Sequence, residues 1–203
     1  MRAQIIEFQT GRGLPKEAFD QIAPAVSEGH LVVFPTEISY VVGGNAFNQN
    51  LVNRVRALRQ DPQGPLALYI SSITEFRLYV VPVLPRLRRA LERCLPGPYG
   101  VIVRATQAAP RACVSSAGTI EVHMPASQSY QMFYEASGRP LVGVKLDLVR
   151  REDVLDRFGE HADLIVLTNE PMSPQSYALL DFTQDPPTAR EGELPKWLKS
   201  YID

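Results

Sequence analysis

The chain has 203 residues, 45% of them hydrophobic and 21% charged, a composition of folded globular domains with no apolar run long enough to cross a bilayer. A formal net charge of -1 and a pI near 6.3 exclude a general electrostatic pull toward nucleic acid, so any such attraction has to be local. The two cysteines, Cys94 and Cys113, lack metal-ligand spacing and read as buried free thiols of a reducing compartment.

This length predicts one domain over residues 1–203. Met1 to Thr10 carries Arg2 and Glu7 and only a brief apolar stretch at Ile5 and Ile6, unlike a signal peptide, so a cytoplasmic protein is expected. After the turn-rich Gly11 to Pro15, Phe19, Ile22, Ala23 and Val26 keep helical spacing up to Gly29, with Pro24 as a kink or an alternative start. Leu31 to Phe34 is a buried strand ended by Pro35, and Tyr40 to Val42 is a second apolar piece leading into Gly43-Gly44. A helix through Val52, Val55 and Leu58 then runs into a break at residues 61–65.

Leu66 to Ile70 is the next strand, Ser71 to Thr74 starts a helix, and Pro85 to Leu95 is a basic amphipathic helix stopped by Pro96-Gly97-Pro98. Strands follow at Val101 to Val103, Ile120 to Met124 and Leu141 to Val144. A helix is predicted over Asp147 to Phe158, strands over Leu164 to Leu167 and Ala178 to Phe182, and then a polar tail that Leu194, Trp197, Leu198 and Tyr201 pin to the body. Strands and helices alternate while several strand pairs are joined by short loops, which predicts a mixed, twisted α/β sheet with helices packed around it and a concave surface for a ligand.

Positive charge is bunched at Arg54, Arg56 and Arg59, at Arg86, Arg88, Arg89 and Arg93, and from Arg139 to Arg151. The second bunch lies on one predicted helix, either as a solvated face or as a contact for the phosphates of double-stranded RNA or tRNA. The stretch with most chemistry is Pro35-Thr36-Glu37-Ile38-Ser39-Tyr40. It follows a buried strand and puts a hydroxyl, a carboxylate and an aromatic ring on one loop, suited to polar capture plus stacking or, alternatively, to capping a turn and packing the core. Ser-His-Asp order, Walker loops and Gly-x-Gly-x-x-Gly loops are absent from the sequence.

Pro-Thr-Glu-x-x-Tyr-x-x-Gly after an apolar strand resembles the opening signature of the YrdC/YciO family. Further matches follow in order: the basic loop of Arg56 to Leu66, Pro96-Gly97-Pro98, Pro125, Pro140-Leu141-Val142, Asp163-Leu164-Ile165 and Arg190-Glu191-Gly192. The likeness spans residues 26–192, leaving 193–203 as a tail. It implies a YrdC-like fold and, in the catalytic branch, a nucleotidyltransferase that makes threonylcarbamoyl-AMP from ATP, threonine and bicarbonate for tRNA modification, with Mg²⁺ shielding the phosphates. In that reading Thr36, Glu37 and Tyr40 hold substrate, while Arg56 and Lys145 carry catalysis by neutralising phosphate charge.

The departures point toward the YciO branch. The family's Lys-x-Arg pair falls on Arg56-Ala57-Leu58 or on Arg59-Gln60-Asp61, and the first frame is preferred because Asp61 would repel phosphates. Ser-Ala-Asn becomes Lys145-Leu146-Asp147, so Lys145 would supply the charge missing at Leu58, with Asp147 paired to an arginine or a metal. The family's arginine before Pro125 is His123, its threonine after Pro-Gly-Pro-x is Gly100, and its late Ser-Thr pair keeps only Ser176. Two expectations follow: a divergent synthase of uncertain activity, or a non-catalytic paralogue that binds a nucleotide or duplex RNA. No dedicated protein metal site is expected.

Overall fold

A computed structural model describes residues 2–9, 11, 13–59, 61 and 63–199. Among the described residues there are ten strands: β1 (Gln4–Phe8), β2 (Val32–Pro35), β3 (Tyr40–Asn45), β4 (Ala67–Tyr69), β5 (Tyr99–Arg104), β6 (Thr119–His123), β7 (Leu141–Lys145), β8 (Leu164–Thr168), β9 (Ala178–Asp181) and β10 (Thr188–Glu191). Seven helices accompany them: α1 (Lys16–Glu28), α2 (Gln49–Ala57), α3 (Ile73–Tyr79), α4 (Pro85–Cys94), α5 (Gln128–Ser137), α6 (Arg151–Phe158) and α7 (Lys196–Lys199). The strands form one sheet in the order β1-β8-β2-β3-β7-β4-β6-β5-β9-β10. Parallel pairs (β1 with β8, β2 with β8, β4 with β6, β5 with β9) mix with antiparallel ones, as the alternation of long and short connections predicts.

The sheet separates two apolar clusters. On one face Phe8, Phe34, Val41, Tyr69 and Leu141 meet α1 and α5 through Ile22, Val26, Tyr130 and Phe133. Phe34 lies at the middle of this cluster, stacked 5.0 Å from Phe133 and edge-on to Tyr69 at 5.6 Å. On the other face Val33, Tyr40, Val42, Leu68, Val122 and Val142 pack against side chains from α2, α3, α4 and α6. Because side chains alternate across a strand, odd-numbered residues of β7, from Leu141 through Gly143 to Lys145, share the α5 face.

Four expectations change. Pro24 does not break α1, which runs continuously from Lys16 to Glu28 with the proline inside it; the turns around it are held by Ile22, Ala25 and Val26 in the core. The helix predicted from Asp147 begins only at Arg151. Two edge strands are added, β1 in the N-terminal stretch for which no strand was expected and β10 in the segment read as a polar tail, and α5 had not been predicted at all. Its signal is present: Tyr130, Phe133, Tyr134 and Ser137 are buried at helical spacing and Gly138 closes the helix with a left-handed φ of 66°.

Both cysteines are free and buried, and burial pushes each thiol up to about 12, as expected of inert core thiols. The tail is pinned as anticipated: Leu198 is buried, Trp197 meets the Tyr99 ring edge-on, and the Arg93 guanidinium sits 4.7 Å over the Trp197 ring. Tyr201 lies outside the described residues.

Candidate ligand site

Beyond α5, the α5 face of the sheet carries a row of three nearly parallel rings. Tyr69 on β4 and His123 on β6 are register partners, stacked at 4.7 Å and 15°. His123 and Tyr177, just before β9, are 6.0 Å apart at 9°. One glycine makes room for the row: a Cβ on Gly100 would sit 2.7 Å from His123 Cε1, whereas one on Gly143 would collide with Val41 Cγ1 at 2.5 Å and only touch Tyr69 Cε2 at 3.4 Å. Gly100 therefore provides the room that the imidazole occupies.

Charge surrounds the row. His123 Nε2 lies 2.7 Å from Glu121 Oε1. Burial pushes the Glu121 carboxyl up, but its bond to His123 and the neighbouring His123, Arg59 and Lys145 charges outweigh this and hold it below the ordinary value. Lys145 Nζ donates to Glu191 Oε1 at 2.6 Å and lies 3.8 Å from the centre of the Tyr177 ring. Arg59, the cation of the other frame considered from sequence, is the one that acts on Glu121 together with Lys145. Arg59 Nη1 also donates to the carbonyls of Gly64 and Pro65 at 3.1 and 2.6 Å, so it ties its own loop to the site. Arg56, on α2, is half-buried with an unpartnered Nε.

The Pro35-Thr36-Glu37 loop divides its labour. The Thr36 hydroxyl donates to the Ser39 carbonyl at 2.7 Å and accepts from the Ile38 and Ser39 amides at 3.2 Å, which uses its one donor and both lone pairs. Thr36 therefore shapes the turn. Tyr40 is fully buried in the opposite apolar cluster, its hydroxyl accepting from the Thr168 amide at 3.3 Å, so its ring offers no face to a ligand. Glu37 is different: one carboxylate oxygen accepts from the Ala126 amide at 2.9 Å, while the other is buried without a partner, as is the neighbouring Ser127 Oγ.

The remaining candidates are spread out. Asp147 is exposed and lines a groove of about 760 Å³ with Arg59, Asp61, Lys145, Arg157 and His161. Ser176 is exposed on a 3₁₀ turn, and its neighbour Tyr177 joins the ring row instead. On α4, Arg86 pairs with Asp185, Arg88 with Glu92 at 2.8 Å and Arg93 with Trp197, while Arg89 is exposed. Among the described residues no group of three or more His, Cys, Asp or Glu comes together to hold a metal ion, and no helix is long and apolar enough to cross a membrane. Tyr69, Glu121, Tyr177 and Glu191 are not among the expected site residues, although Glu191 lies inside the Arg190-Glu191-Gly192 match, Tyr177 follows Ser176 in the late pair, and the alternation in Ile120 to Met124 puts Glu121 on the same side as His123.

Acid should weaken the fold. The Asp181 side chain is only 3% exposed and accepts from Thr183 N and Oγ1 and from Arg190 Nε and Nη2 at 2.5–2.9 Å. Burial raises its carboxyl, but the Thr183 bonds and Arg190 win and hold it below the ordinary value. A depressed folded pKa contributes stability that is present above the unfolded value of about 4 and lost as pH falls through the folded one. Urea midpoints should therefore hold steady from about pH 7 to 5 and fall below about pH 4. Asp181→Asn should flatten that fall; an unchanged slope in the variant would refute the assignment.

The chain has relatives among known proteins. Residues 24–192 match the family model Sua5_yciO_yrdC, described as telomere recombination. The chain belongs to the Sua5/YciO/YrdC family. A threonylcarbamoyl-AMP synthase of Pyrococcus abyssi is 26% identical over 178 residues, 84% of this chain and 52% of that protein. The chain thus spans about half the length of that relative. The YciO protein of Escherichia coli, itself uncharacterized, is 28% identical over 183 residues, 85% of this chain and 88% of its own. Among solved structures, P. abyssi Sua5 complexed with L-threonine superposes with a TM-score of 0.83 at 25% identity, covering 98% of this chain and 60% of that one. E. coli YciO superposes with a TM-score of 0.81 at 24% identity, over 96% and 97% of the two chains.

Proposed function

We propose that this chain is a nucleotide-binding member of the YciO branch that has lost the threonylcarbamoyl-AMP synthase reaction. The observation that supports binding is the set of buried polar atoms left without partners among the described residues, Glu37 Oε2, Ser127 Oγ, Arg56 Nε and Arg139 Nε. Buried polar groups are nearly always satisfied, and a bound ligand is one way to satisfy them. Glu37 and Ser127 are linked through Ala126, and the ring row offers a flat surface for a base.

The observation against synthase chemistry is internal neutralisation. Lys145 is paired with Glu191, and Glu121 lies within the field of Arg59 and Lys145, so two of the cations that would meet the triphosphate of ATP already lie beside carboxylates. Polyphosphate transfer depends on preorganised, uncompensated positive charge. ATP in its catalytic pose therefore does not suit these residues. The 26% identity to a P. abyssi synthase favours the second reading, a divergent synthase. Incubating purified protein with ATP, threonine and bicarbonate separates the two: the expected result is nucleotide binding by calorimetry without threonine-dependent pyrophosphate release. Pyrophosphate release that depends on threonine would establish the synthase instead.

The RNA reading has less support, because three of the four arginines on α4 already have intramolecular partners. A duplex RNA affinity that falls steeply with salt and weakens in Arg89→Ala would restore it.

A further inference from the structure

The Lys145 ammonium is held from two sides, by Glu191 at 2.6 Å and by the face of Tyr177 at 3.8 Å. Glu191 reaches it because of an irregularity in the last strand. β10 pairs antiparallel with β9 through Thr188 with Asp181 and Ala189 with Leu180, and then the register shifts so that Glu191, not Arg190, faces Leu179. Leu179 is in turn the partner of Gly100, which is the partner of His123. A bulge of one residue changes which side chain is presented to a given face. Here it delivers a carboxylate to the level of the ring row, while the bulged Arg190 is bound to Asp181 through two nitrogens at 2.9 and 2.7 Å.

The chain path after the bulge is constrained as well. Gly192 has a φ of 69°, and a Cβ there would lie 2.5 Å from the Tyr177 carbonyl oxygen and 3.1 Å from Ala178 Cα, so the backbone passes directly over the residue that carries the cation-π contact. Glu191 itself is 52% exposed and Lys145 25% exposed. The pair is formed at the surface of the site, within reach of solvent ions, and is exchangeable.

We infer that Glu191 sets the ligand charge that the site accepts: its carboxylate occupies the place at Lys145 that an anionic group of a ligand would take. The site thereby disfavours polyphosphates and takes nucleosides or nucleotides of low charge, unless the end of β10 yields Lys145. This inference rests on the nucleotide-binding reading for its ligand class. The geometry of the gate itself does not depend on it.

Titration calorimetry with adenosine, ATP and inorganic pyrophosphate, on wild type, Glu191→Gln, Lys145→Met and the double variant, tests both. Glu191→Gln should bind pyrophosphate and ATP about tenfold more tightly than wild type, since a charge-assisted contact is freed for the ligand. Adenosine affinity should be unchanged, and the gain should vanish in the double variant. Equal pyrophosphate and ATP affinities in wild type and Glu191→Gln, or a gain that survives Lys145→Met, would overturn the gate. Failure of all four proteins to bind adenosine or ATP would count against the nucleotide reading, and a pyrophosphate gain in Glu191→Gln that Lys145→Met removes would still uphold the gate. Because Glu191 is half exposed, thermal melts of the variants should match wild type within a few degrees.

Discussion

Gly43→Ala is expected to abolish soluble expression, at a cost of about 4 kcal/mol or more. Gly43 on β3 lies directly opposite Gly143 on β7, near the middle of the ten-stranded sheet. A Cβ at position 43 would fall 1.9 Å from the Val142 carbonyl oxygen and 2.8 Å from the Gly143 Cα. Both obstacles are backbone, so no rotamer change relieves the overlap and the two strands would have to part. That separation would break the β3–β7 ladder and displace Lys145, which pairs with Val41 in the same register. Gly118→Ala is the control. It has a φ of 73° but no atom within 4 Å of an added Cβ, so it should cost only about 1 kcal/mol of backbone strain. Circular-dichroism melts of any soluble material decide the matter, and a Gly43→Ala protein that melts near wild type would refute the close approach of the strands.

Gly100→Thr, which installs the residue that the family pattern places there, is expected to destabilise by about 1–3 kcal/mol through overpacking. The new Cβ would meet His123 Cε1 at 2.7 Å and Leu179 Cδ1 at 2.8 Å. His123 has nowhere to turn, being stacked on Tyr69, parallel to Tyr177 and bonded to Glu121. The effect should therefore depend on the imidazole. In a His123→Ala background the same Gly100→Thr change should cost at least about 1 kcal/mol less, a coupling of the size seen between touching residues. Urea unfolding of the four proteins in the cycle measures it. Equal costs of Gly100→Thr with and without His123 would show that the glycine and the histidine are independent departures from the family pattern.

The two glycines illustrate what could be read from the residues and what could not. Gly43 closes the Pro-Thr-Glu-x-x-Tyr-x-x-Gly signature, and its place at the end of an apolar run marked it as part of a strand. That an added methyl there would collide with β7 depends on the pairing of two strands nearly a hundred residues apart in sequence. Gly100 looked like a bare loss of a hydroxyl. Its meaning as space for His123 exists only because β5 and β6 pair with those two residues in register. The same applies to Tyr40, Tyr69 and Tyr177. Tyr40 lies in the opening motif but faces the core, while Tyr69, outside every motif, and Tyr177, at the second place of the late pair, build the ring row with His123.

The sequence by itself determined the fold class and the family, because apolar periodicity, proline and glycine punctuation and ordered motifs are local properties of the chain. It also singled out Lys145 and His123 as replacements that alter the site. Only the tertiary structure decided what those replacements meet. Strand register, the bulge at Arg190 and the face on which each side chain emerges are set by pairings between distant segments. They turned a lysine that looked free to bind phosphate into one already paired with Glu191.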